Sequence, residues 1–483
     1  MPQASTNTSD YLISDNAWST TNIRRQGSNG NSVLYPMTTT NYGIVIRESA
    51  GVNTTDKLIL IALTNPAGYS LQSYLTTKYN TGWMPGDIRG AWLSDNTAET
   101  VVGEKLSSNT FYNTGWTTSG AGDFVINANG TVTVTGTGNK TESYLQSPTF
   151  TTTVGKTYVI SVRTSSASGT GIGIYAYGTG GPNAYVWDRD FVFVSTASST
   201  NFFLYRFGGH TGSATITSIS VKEADLDRSV NKNPLQVFGS ITKTPVATGA
   251  DLVGYSGFGS GKYLYYPTST NLSFGSGDFS LIMWMKSTNT NTGYSFNQLV
   301  GIRIAYQGAG KLRFHVYGNG GNPQYIDSTT VPINVWHQAM FIRRNGKLEI
   351  YINAINATES IYNNATETFS TATETLIGVS DTTGGSTYTG ELALIRLSGT
   401  VPSAEQIAKM YNDEKYLFQD NAKATLYGSS DSVTALAYDE DTQLLHAGTS
   451  SGRSVFRGLR RVDNTTTAVG AAISAANGLV AED

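Results

Sequence analysis

The sequence predicts a mainly β protein in which two β-sandwiches follow each other and one short helix follows the second. The composition favours short strands and turns over helices, because 52 glycines and 28 tyrosines accompany only 14% charged residues. Strand-like segments also recur about every 8 to 12 residues over much of the chain, which is typical of sandwiches. With 483 residues the chain is too long for one ordinary core, so several domains are expected.

Four domains follow from shifts in composition along the chain. The first begins with a polar arm and continues into the strand-like segments YGIVIRE and KLILIAL. A Gly/Thr-rich first sandwich follows, and the polar segment LDRSVNKNPLQV separates it from the second sandwich. The predicted domains are an N-terminal β attachment domain at 1–106, the sandwiches at 107–228 and 240–415, and a C-terminal β segment at 416–483.

A hairpin in residues 334–353, NVWHQAMFIRRNGKLEIYIN, shows the strand pattern most clearly. Alternate residues from Trp336 to Ile342 fall on one face of its first strand. Asn345 and Gly346 predict a two-residue type I′ turn, because both residues tolerate the positive φ that this turn requires. We expect an antiparallel, half-buried pair of strands.

The one predicted helix lies in the segment SAEQIAKMYNDEKYL. Pro402 fits its start, Ser403 fits its N-cap, and Ile407 and Met410 give it one apolar side. The strand pattern returns after the helix, in VTALAYDEDTQLLHAGTSSGRSVFRGLRRVD.

The two terminal β segments each resemble one blade of a β-propeller. A propeller needs about four to eight blades, and one chain of this length has no room for them. Two arrangements are compatible with the pattern. Either the terminal segments join into one base domain, with the C-terminal segment packed on the N-terminal one, or each is an independent small β unit.

Several classes of function are disfavoured by charge and composition. The formal charge of −3 and the isoelectric point near 5.9 give no reason to expect nucleic-acid binding. The absence of cysteine excludes thiolate catalysis and cysteine-ligated zinc, and the four histidines are not spaced as metal ligands. The first residues show neither a basic nor an apolar region, so we expect no signal peptide and no membrane insertion.

The second sandwich resembles laminin-G or concanavalin A-like jelly rolls. The motifs that carry this resemblance stand in the expected order over roughly 150 residues: DFSLIMWMK, the hairpin with Trp336 and His337 before its long strand, and GELALIRL leading into a short helix. Asn353 and Ala354 replace the glycine usual after the last hairpin strand. The resemblance implies a jelly-roll sandwich of the lectin type.

The first sandwich resembles the jelly-roll carbohydrate-binding modules found beside glycosidases, through NTGWTTSGAGDF, YLQSPTFTTTVGKTYVISVRTSS and GSATITSISVKEA. The arrangement of both modules between such flanks resembles tail-associated virion proteins of marine bacteriophages. That resemblance implies a structural virion protein of the tail, made in the host cytoplasm. Its expected partners are other virion proteins, further copies of itself in a homo-oligomer, and host cell-surface polysaccharide.

Sugar recognition needs flat aromatic faces and planar polar groups, and both modules supply them. Each aromatic residue is also compatible with a place in a core or a subunit interface. The predicted carbohydrate-binding residues are Trp116, Tyr175, Tyr177, Asn183, Tyr185 and Trp187 in the first module, and Tyr317, Tyr325 and Tyr388 in the second.

We expect no cofactor, with calcium as the one candidate. Asp327 and Asp381 are the only obvious acidic ligands at the rim of the second sandwich, and solvated loops are the competing interpretation. Arg453, Arg457, Arg460 and Arg461 either contact a negative partner or are simply solvated.

Glucanase-type catalysis would need paired carboxylates along one strand, and no E-x-D-x-x-E run occurs. The missing run predicts a non-enzymatic protein, and the resemblances imply that it adheres to host glycans. Two alternatives stay open, a glycan-degrading tail enzyme and a purely architectural decoration of capsid or tail.

Overall fold

The computed structural model has six β-sheets and one α-helix in its described part. Before residue 76 only the backbone of four strands is described. Beyond that, the described residues are 84, 86–92, 97–108, 111, 115–120, 123–137, 143–169, 171–176, 187–206, 211–227, 229, 231, 234–289, 291–298, 301–317, 323–359, 373–430, 433–439 and 441–469.

The N-terminal strands form a four-stranded antiparallel meander, in the order in which they follow each other in the chain. Their bounds are β1 (Leu34–Tyr35), β2 (Ile44–Glu48), β3 (Lys57–Ile61) and β4 (Gln72–Leu75). This order is that of a propeller blade. The predicted contact between this sheet and the C-terminal segment stays a prediction.

The next three strands, β5 (Ile88–Trp92), β6 (Glu99–Val102) and β7 (Glu104–Ser108), belong to the sandwiches. β5 and β6 pair with strands of the second sandwich, whereas β7 pairs with the first. Strands of the predicted first domain, 1–106, thus pair with strands of both sandwiches. Sequence reasoning missed this because strands join a sheet by pairing, which composition does not record.

Gly103 lies where the chain passes from β6 to β7, and thus from one sandwich to the other. A Cβ at this position would lie 1.9 Å from the carbonyl oxygen of Val237. The Gly103 amide donates to Gly239, and its carbonyl accepts from the amide of Glu223. Only glycine lets the backbone cross at this distance.

The first sandwich packs one sheet of β9, β10, β18, β13, β15 and β7 near a smaller sheet of β14, β17, β11 and β8. Aromatic and β-branched residues such as Tyr158, Ile160 and Phe202 form its core. The strands are β8 (Thr117–Ser119), β9 (Phe124–Ile126), β10 (Val132–Thr137), β11 (Ser143–Gln146), β12 (Phe150–Thr151), β13 (Thr157–Ser165), β14 (Gly173–Ala176), β15 (Arg189–Val194), β16 (Ser199–Thr200), β17 (Phe202–Arg206) and β18 (Thr211–Asp225).

The second sandwich has a front sheet, β19-β22-β31-β24-β25-β26-β27, and a back sheet, β30-β29-β28-β23-β32-β21-β20-β6, in which β5 also pairs with β32. The front sheet is continuous with the larger sheet of the first sandwich, because β18 pairs with β19. The strands are β19 (Leu235–Phe238), β20 (Ser240–Pro245), β21 (Val253–Ser256), β22 (Tyr263–Ser269), β23 (Phe279–Ser287), β24 (Gly293–Gln298), β25 (Ile302–Gln307), β26 (Lys311–Tyr317), β27 (Pro323–Thr330), β28 (His337–Arg344), β29 (Lys347–Ile352), β30 (Ile355–Asn356), β31 (Thr373–Ile377) and β32 (Gly390–Ser398). Short 3-10 turns lie at Thr270–Leu272, Gly308–Gly310 and Lys415–Phe418.

The predicted hairpin is formed by β28 and β29, and its turn is confirmed. Arg344 pairs with Lys347, and the two turn residues have φ of 50° and 71°. The prediction that the pair is half-buried is wrong for β28, which is buried on both faces. Phe341 lies in the core between the sheets, whereas Met340 and Ile342 lie in a second apolar cluster outside the back sheet.

The helix α1 (Ala404–Glu414) covers that second cluster, as its predicted apolar side requires. Ser403 caps it, because its hydroxyl accepts from the Gln406 amide while the Gln406 side chain accepts from the Ser403 amide. Ile407 and Met410 are buried against the back sheet. The predicted start, cap and apolar face of the helix are confirmed.

The C-terminal segment forms a four-stranded antiparallel meander of β33 (Val433–Asp439), β34 (Leu444–Thr449), β35 (Gly452–Arg457) and β36 (Arg460–Thr465). Its core is small, with Leu426, Leu445 and Phe456 among its buried members. Leu426 comes from the chain between the helix and β33. The segment 419–426 therefore connects this sheet to the second sandwich.

An ion-pair network joins the two sandwiches at their shared edge. Lys156 of the first sandwich lies 2.7 Å from Glu223 and also contacts Glu99, which is on β6 of the second. Lys243, on β20, lies 2.8 Å from Asp225 of β18. These carboxylates raise the pKa of Lys156, outweighing the opposing effect of its burial. Opposite charges from both sandwiches thus fix their junction.

Replacing Lys156 by methionine is expected to lower the free energy of unfolding by about 1–2 kcal/mol, because Glu223 is left buried beside one cation fewer. Because its folded pKa is raised, the lysine's contribution is complete below its unfolded value of 10.5 and is lost as pH rises through the folded value. Urea unfolding at neutral pH measures the change. Lys347→Met, at an exposed turn position, is the control and should change stability little. Equal effects of both substitutions would show that the network contributes nothing.

Candidate functional site

The outward face of β25, β26 and β27 carries a cluster of aromatic and charged side chains. Strand alternation sends Leu312, Phe314 and Val316 into the core, all fully buried. The intervening residues of β26 therefore lie on the outer face of the front sheet. With their cross-strand neighbours they form what we call the aromatic face, which consists of Arg303, Arg313, His315, Tyr317, Tyr325 and Asp327.

The rings of the aromatic face lie beside one another. The His315 ring centre is 5.5 Å from that of Tyr317, with an angle of 19° between the planes, and 5.6 Å from that of Tyr325. The guanidinium carbon of Arg303 is 3.9 Å from the centre of the Tyr317 ring. That of Arg313 is 4.2 Å from the centre of the Tyr325 ring. Both arginines are within cation–π distance.

Hydrogen bonds hold the two guanidinium groups in place. Arg313 donates through Nε and Nη2 to the two carboxylate oxygens of Asp327, at 2.7 and 2.8 Å. These bonds are the main reason that the pKa of Arg313 is raised. Arg303 donates through Nε to the carbonyl of Gln298 at 3.1 Å. The side chains of this face are therefore preorganised before any ligand arrives.

His315 lies beneath its aromatic neighbours and is only 7% exposed. Among the described residues, neither of its ring nitrogens has a hydrogen-bond partner. Burial, together with the charges of Arg313 and Arg303, lowers its pKa to about 4. The imidazole is thus neutral at physiological pH and acts as an aromatic surface between the two tyrosines.

The geometry suits the recognition of a sugar ring. Tyr325 is 45% exposed, the highest exposure among the tyrosines of the described residues. An exposed tyrosine offers an apolar ring for the C–H groups of a sugar and a hydroxyl for its polar groups. The nearby guanidinium groups supply charge-assisted N–H donors.

Three of the residues predicted from sequence, Tyr317, Tyr325 and Asp327, come together on this face. Sequence reasoning missed Arg303, Arg313 and His315. Two of these could have been found, because alternation along KLRFHVY already places Arg313, His315 and Tyr317 on one side of β26. Arg303 required knowledge of the strand register.

Two predicted sugar-binding residues are corrected by their burial. Trp116 is 6% exposed and packs edge-on against Phe111 and Phe202, with ring centres 5.2 and 5.8 Å away. Tyr388 is 2% exposed and lies between Tyr306 and Phe258. Neither ring presents a face to a ligand, so both are core residues.

The remaining predicted residues of the first sandwich are only partly described. Trp187 is half-buried, donates through Nε1 to the carbonyls of Ser168 and Gly169 at 3.2 Å, and packs against the core. Its indole N–H is therefore already used by the backbone. Tyr175 lies on β14, but its side chain is outside the described part of the structure. Tyr177, Asn183 and Tyr185 lie outside the described residues.

The two candidate calcium ligands are engaged separately. Asp327 is paired with Arg313, as above. Asp381 accepts from the amide and hydroxyl of Thr383 and from the Gly385 amide, and these bonds lower its pKa to about 2. Within the described ranges, no group of three or more acidic or histidine side chains is placed to hold a metal. No described helix is both long and apolar enough to cross a membrane.

The family comparison concerns the second sandwich. Residues 258–408 match the family model described as the concanavalin A-like lectin/glucanases superfamily, Laminin_G_3. This match covers the front-sheet strands that carry the aromatic face. The segment has the laminin-G/concanavalin A-like lectin fold, and the whole chain is mainly β. No curated protein matches the chain.

Three similar solved structures each match less than half of this chain. The heptameric SAP-like pentraxin of Limulus polyphemus is 18% identical over 28% of this chain and 70% of its own, with a TM-score of 0.25. The binding domain of Paraclostridial Mosquitocidal Protein 1 is 12% identical over 48% and 61%, with a TM-score of 0.34. The Ruminococcus gnavus IT-sialidase CBM40, bound to α2,3-sialyllactose, is 11% identical over 33% and 96%, with a TM-score of 0.28.

Proposed function

We propose that this protein binds glycans without cleaving them, and that the aromatic face of its second sandwich is a binding surface. One observation carries the proposal: an exposed tyrosine, Tyr325, lies with its ring against the guanidinium group of Arg313, beside a second such pair. The lectin-type fold of the same segment supports it. Because lectin-type folds host both binding and catalysis, the proposal rests on the residues of the site rather than on the fold.

The charges of the aromatic face favour an acidic sugar. Arg303 and Arg313 contribute two positive charges and Asp327 one negative charge, while His315 is neutral. Arginine pairs with carboxylates and sulfates through fixed N–H donors. A uronic acid or a sulfated sugar therefore fits this surface better than a neutral hexose does.

A glycan array that includes neutral, carboxylated and sulfated oligosaccharides tests the proposal. Tyr325→Ala is expected to weaken binding of the best ligand about tenfold, or about 1.4 kcal/mol, because the exposed ring is lost while the strand pairing remains. Tyr416→Ala is the matched control, since Tyr416 is 38% exposed and lies outside the aromatic face. Unchanged binding by the Tyr325 variant, or equal loss in the control, would contradict the assignment.

The setting that we propose for this binding is the surface of a bacteriophage tail. Its support is the resemblance in module arrangement and the presence of two sandwiches in one chain. Weak single-site binding would be multiplied there by identical copies, because linked sites raise the effective concentration. Mass spectrometry of purified virions, followed by imaging of the labelled chain on the particle, tests this setting. Absence of the chain from virions would contradict the proposed setting on a phage tail and would leave the proposal of glycan binding standing.

The same glycans also test whether the protein is a binder or an enzyme. After prolonged incubation with a bound polysaccharide, a pure binder releases no new reducing ends. Accumulating reducing ends would contradict the non-enzymatic proposal and identify the chain as a glycan-cleaving enzyme. A protein that binds no glycan of any class would instead favour a purely architectural role.

A further inference from the structure

A second candidate site lies far along the chain from the aromatic face, where the C-terminal sheet meets the segment that follows the helix. Residues 460–464 of strand β36, together with Asn421 and Lys423, border an open cleft of about 380 Å³. The backbone amide of Arg461 donates to the carbonyl of Lys423 at 2.7 Å, which joins the two walls. The polar side chains that line the cleft are Asn421, Lys423, Arg460, Arg461, Asp463 and Asn464.

The charge of Lys423 is already compensated by Asp251. Its Nζ lies 3.1 Å from Oδ1 of Asp251 and 2.9 Å from the carbonyl of Gly249. The other Asp251 oxygen accepts from the Ala424 amide and the Thr425 hydroxyl, both at 3.0 Å. The hydrogen bonds of Asp251 therefore go to the 423–425 segment.

The two arginines of β36 have weaker compensation. Arg460 donates to Gln419, a neutral acceptor, at 3.1 Å. Arg461 places its guanidinium carbon 5.6 Å from the centre of the Tyr427 ring. Asp463, which also lines the cleft, is 61% exposed and lies 3.6 Å from Arg453, to which it is salt-bridged. Even with Asp251 and Asp463 counted, the three cations leave the cleft with net positive charge.

We propose that this cleft binds a ligand through an oxyanion, either a phosphate or a carboxylate group. Cationic side chains at a cleft donate N–H groups to an oxyanion, and such charge-assisted bonds are stronger than neutral ones. The amides of Asn421 and Asn464 add further donors at the same walls. Part of the arginine cluster noted in the sequence thereby gains a role that does not depend on glycan binding.

Isothermal titration of the full chain with inorganic phosphate tests the proposal, with ionic strength held constant by chloride. A parallel titration with citrate distinguishes phosphate from carboxylate recognition. Saturable binding is expected for at least one of the two anions. Arg461→Gln is expected to weaken it about tenfold, the usual order for one lost charge-assisted contact. Arg457→Gln, at an exposed arginine that pairs across the strands with Arg460 but does not line the cleft, should weaken it much less.

The site is also tested without a variant. Phenylglyoxal modifies accessible arginines, and the bound anion is expected to protect Arg460 and Arg461 while Arg457 continues to react, as mass spectrometry reports. If Arg461→Gln fails to fold, titration of the Arg460→Gln variant and the protection pattern test anion binding at the cleft instead. Lack of saturable binding would overturn the proposal. Equal weakening by the Arg457 and Arg461 substitutions would also overturn it, because the anion would then respond only to the general positive charge.

Discussion

Replacing Glu414 by alanine is expected to lower the free energy of unfolding by about 3–5 kcal/mol, the range for breaking a buried ion pair. Glu414 ends helix α1 and is fully buried, as is its partner Arg396 on β32. Its Oε2 accepts from Arg396 at 2.8 Å, from Trp284 at 2.7 Å and from Gln338 at 3.2 Å. Its Oε1 accepts a further bond from Arg396.

The loss is large because the substitution leaves the Arg396 guanidinium in the cluster between helix and sheet without its carboxylate. A buried charge that loses its partner is far more costly than an exposed one. The indole N–H of Trp284 and the amide of Gln338 would lose an acceptor at the same time. We therefore expect the helix to separate from the back sheet more readily, and the rest of the sandwich to weaken with it.

Chemical denaturation followed by circular dichroism measures this change. Glu405→Ala, at the exposed start of the same helix, is the control and should change stability little. The double variant Glu414→Leu with Arg396→Met should regain most of the lost stability, because it removes both charges together. A loss below 1 kcal/mol in Glu414→Ala would show that the helix does not depend on this network.

Acidification from about pH 7.5 to about pH 4.5 is expected to destabilise the protein by several kcal/mol. Two histidines are the cause. Burial lowers the pKa of His337 to about 4, and that of His315 likewise, from an ordinary value of 6.5. Between these values the unfolded chain binds protons that the folded chain does not. The contribution of each histidine to the free energy of unfolding is therefore complete above pH 6.5. It falls as pH decreases towards 4, by about 3 kcal/mol per histidine.

Unfolding free energies across this pH range measure the effect, and His337→Leu should remove about half of the slope. His446→Leu, at a half-buried position of the C-terminal sheet, is the control. An identical pH slope in the wild type and the His337 variant would mean that His337 does not cause the acid sensitivity.

Local features of the fold were predictable because they depend on neighbouring residues. Asn345-Gly346 specifies its turn through backbone freedom, and Ser403 specifies the helix start through capping, and both are confirmed. The burial of both faces of β28 was not predictable in this way. It depends on a helix more than 60 residues further along the chain folding back over Met340 and Ile342.

The candidate site was predictable only in part, for the same reason. Residue type identified Tyr317 and Tyr325 as sugar-binding candidates, but type alone could not distinguish them from the buried Tyr388. The two arginines that give the face its charge come from β25 and β26, and only the strand register brings them to the tyrosines.

The most direct test of the central claim is a crystal structure of the protein with the oligosaccharide that it binds most tightly. We predict a sugar ring in contact with Tyr325, with an acidic substituent hydrogen-bonded to Arg303 or Arg313. A well-defined oligosaccharide bound elsewhere, with the aromatic face of the second sandwich bare, would contradict it.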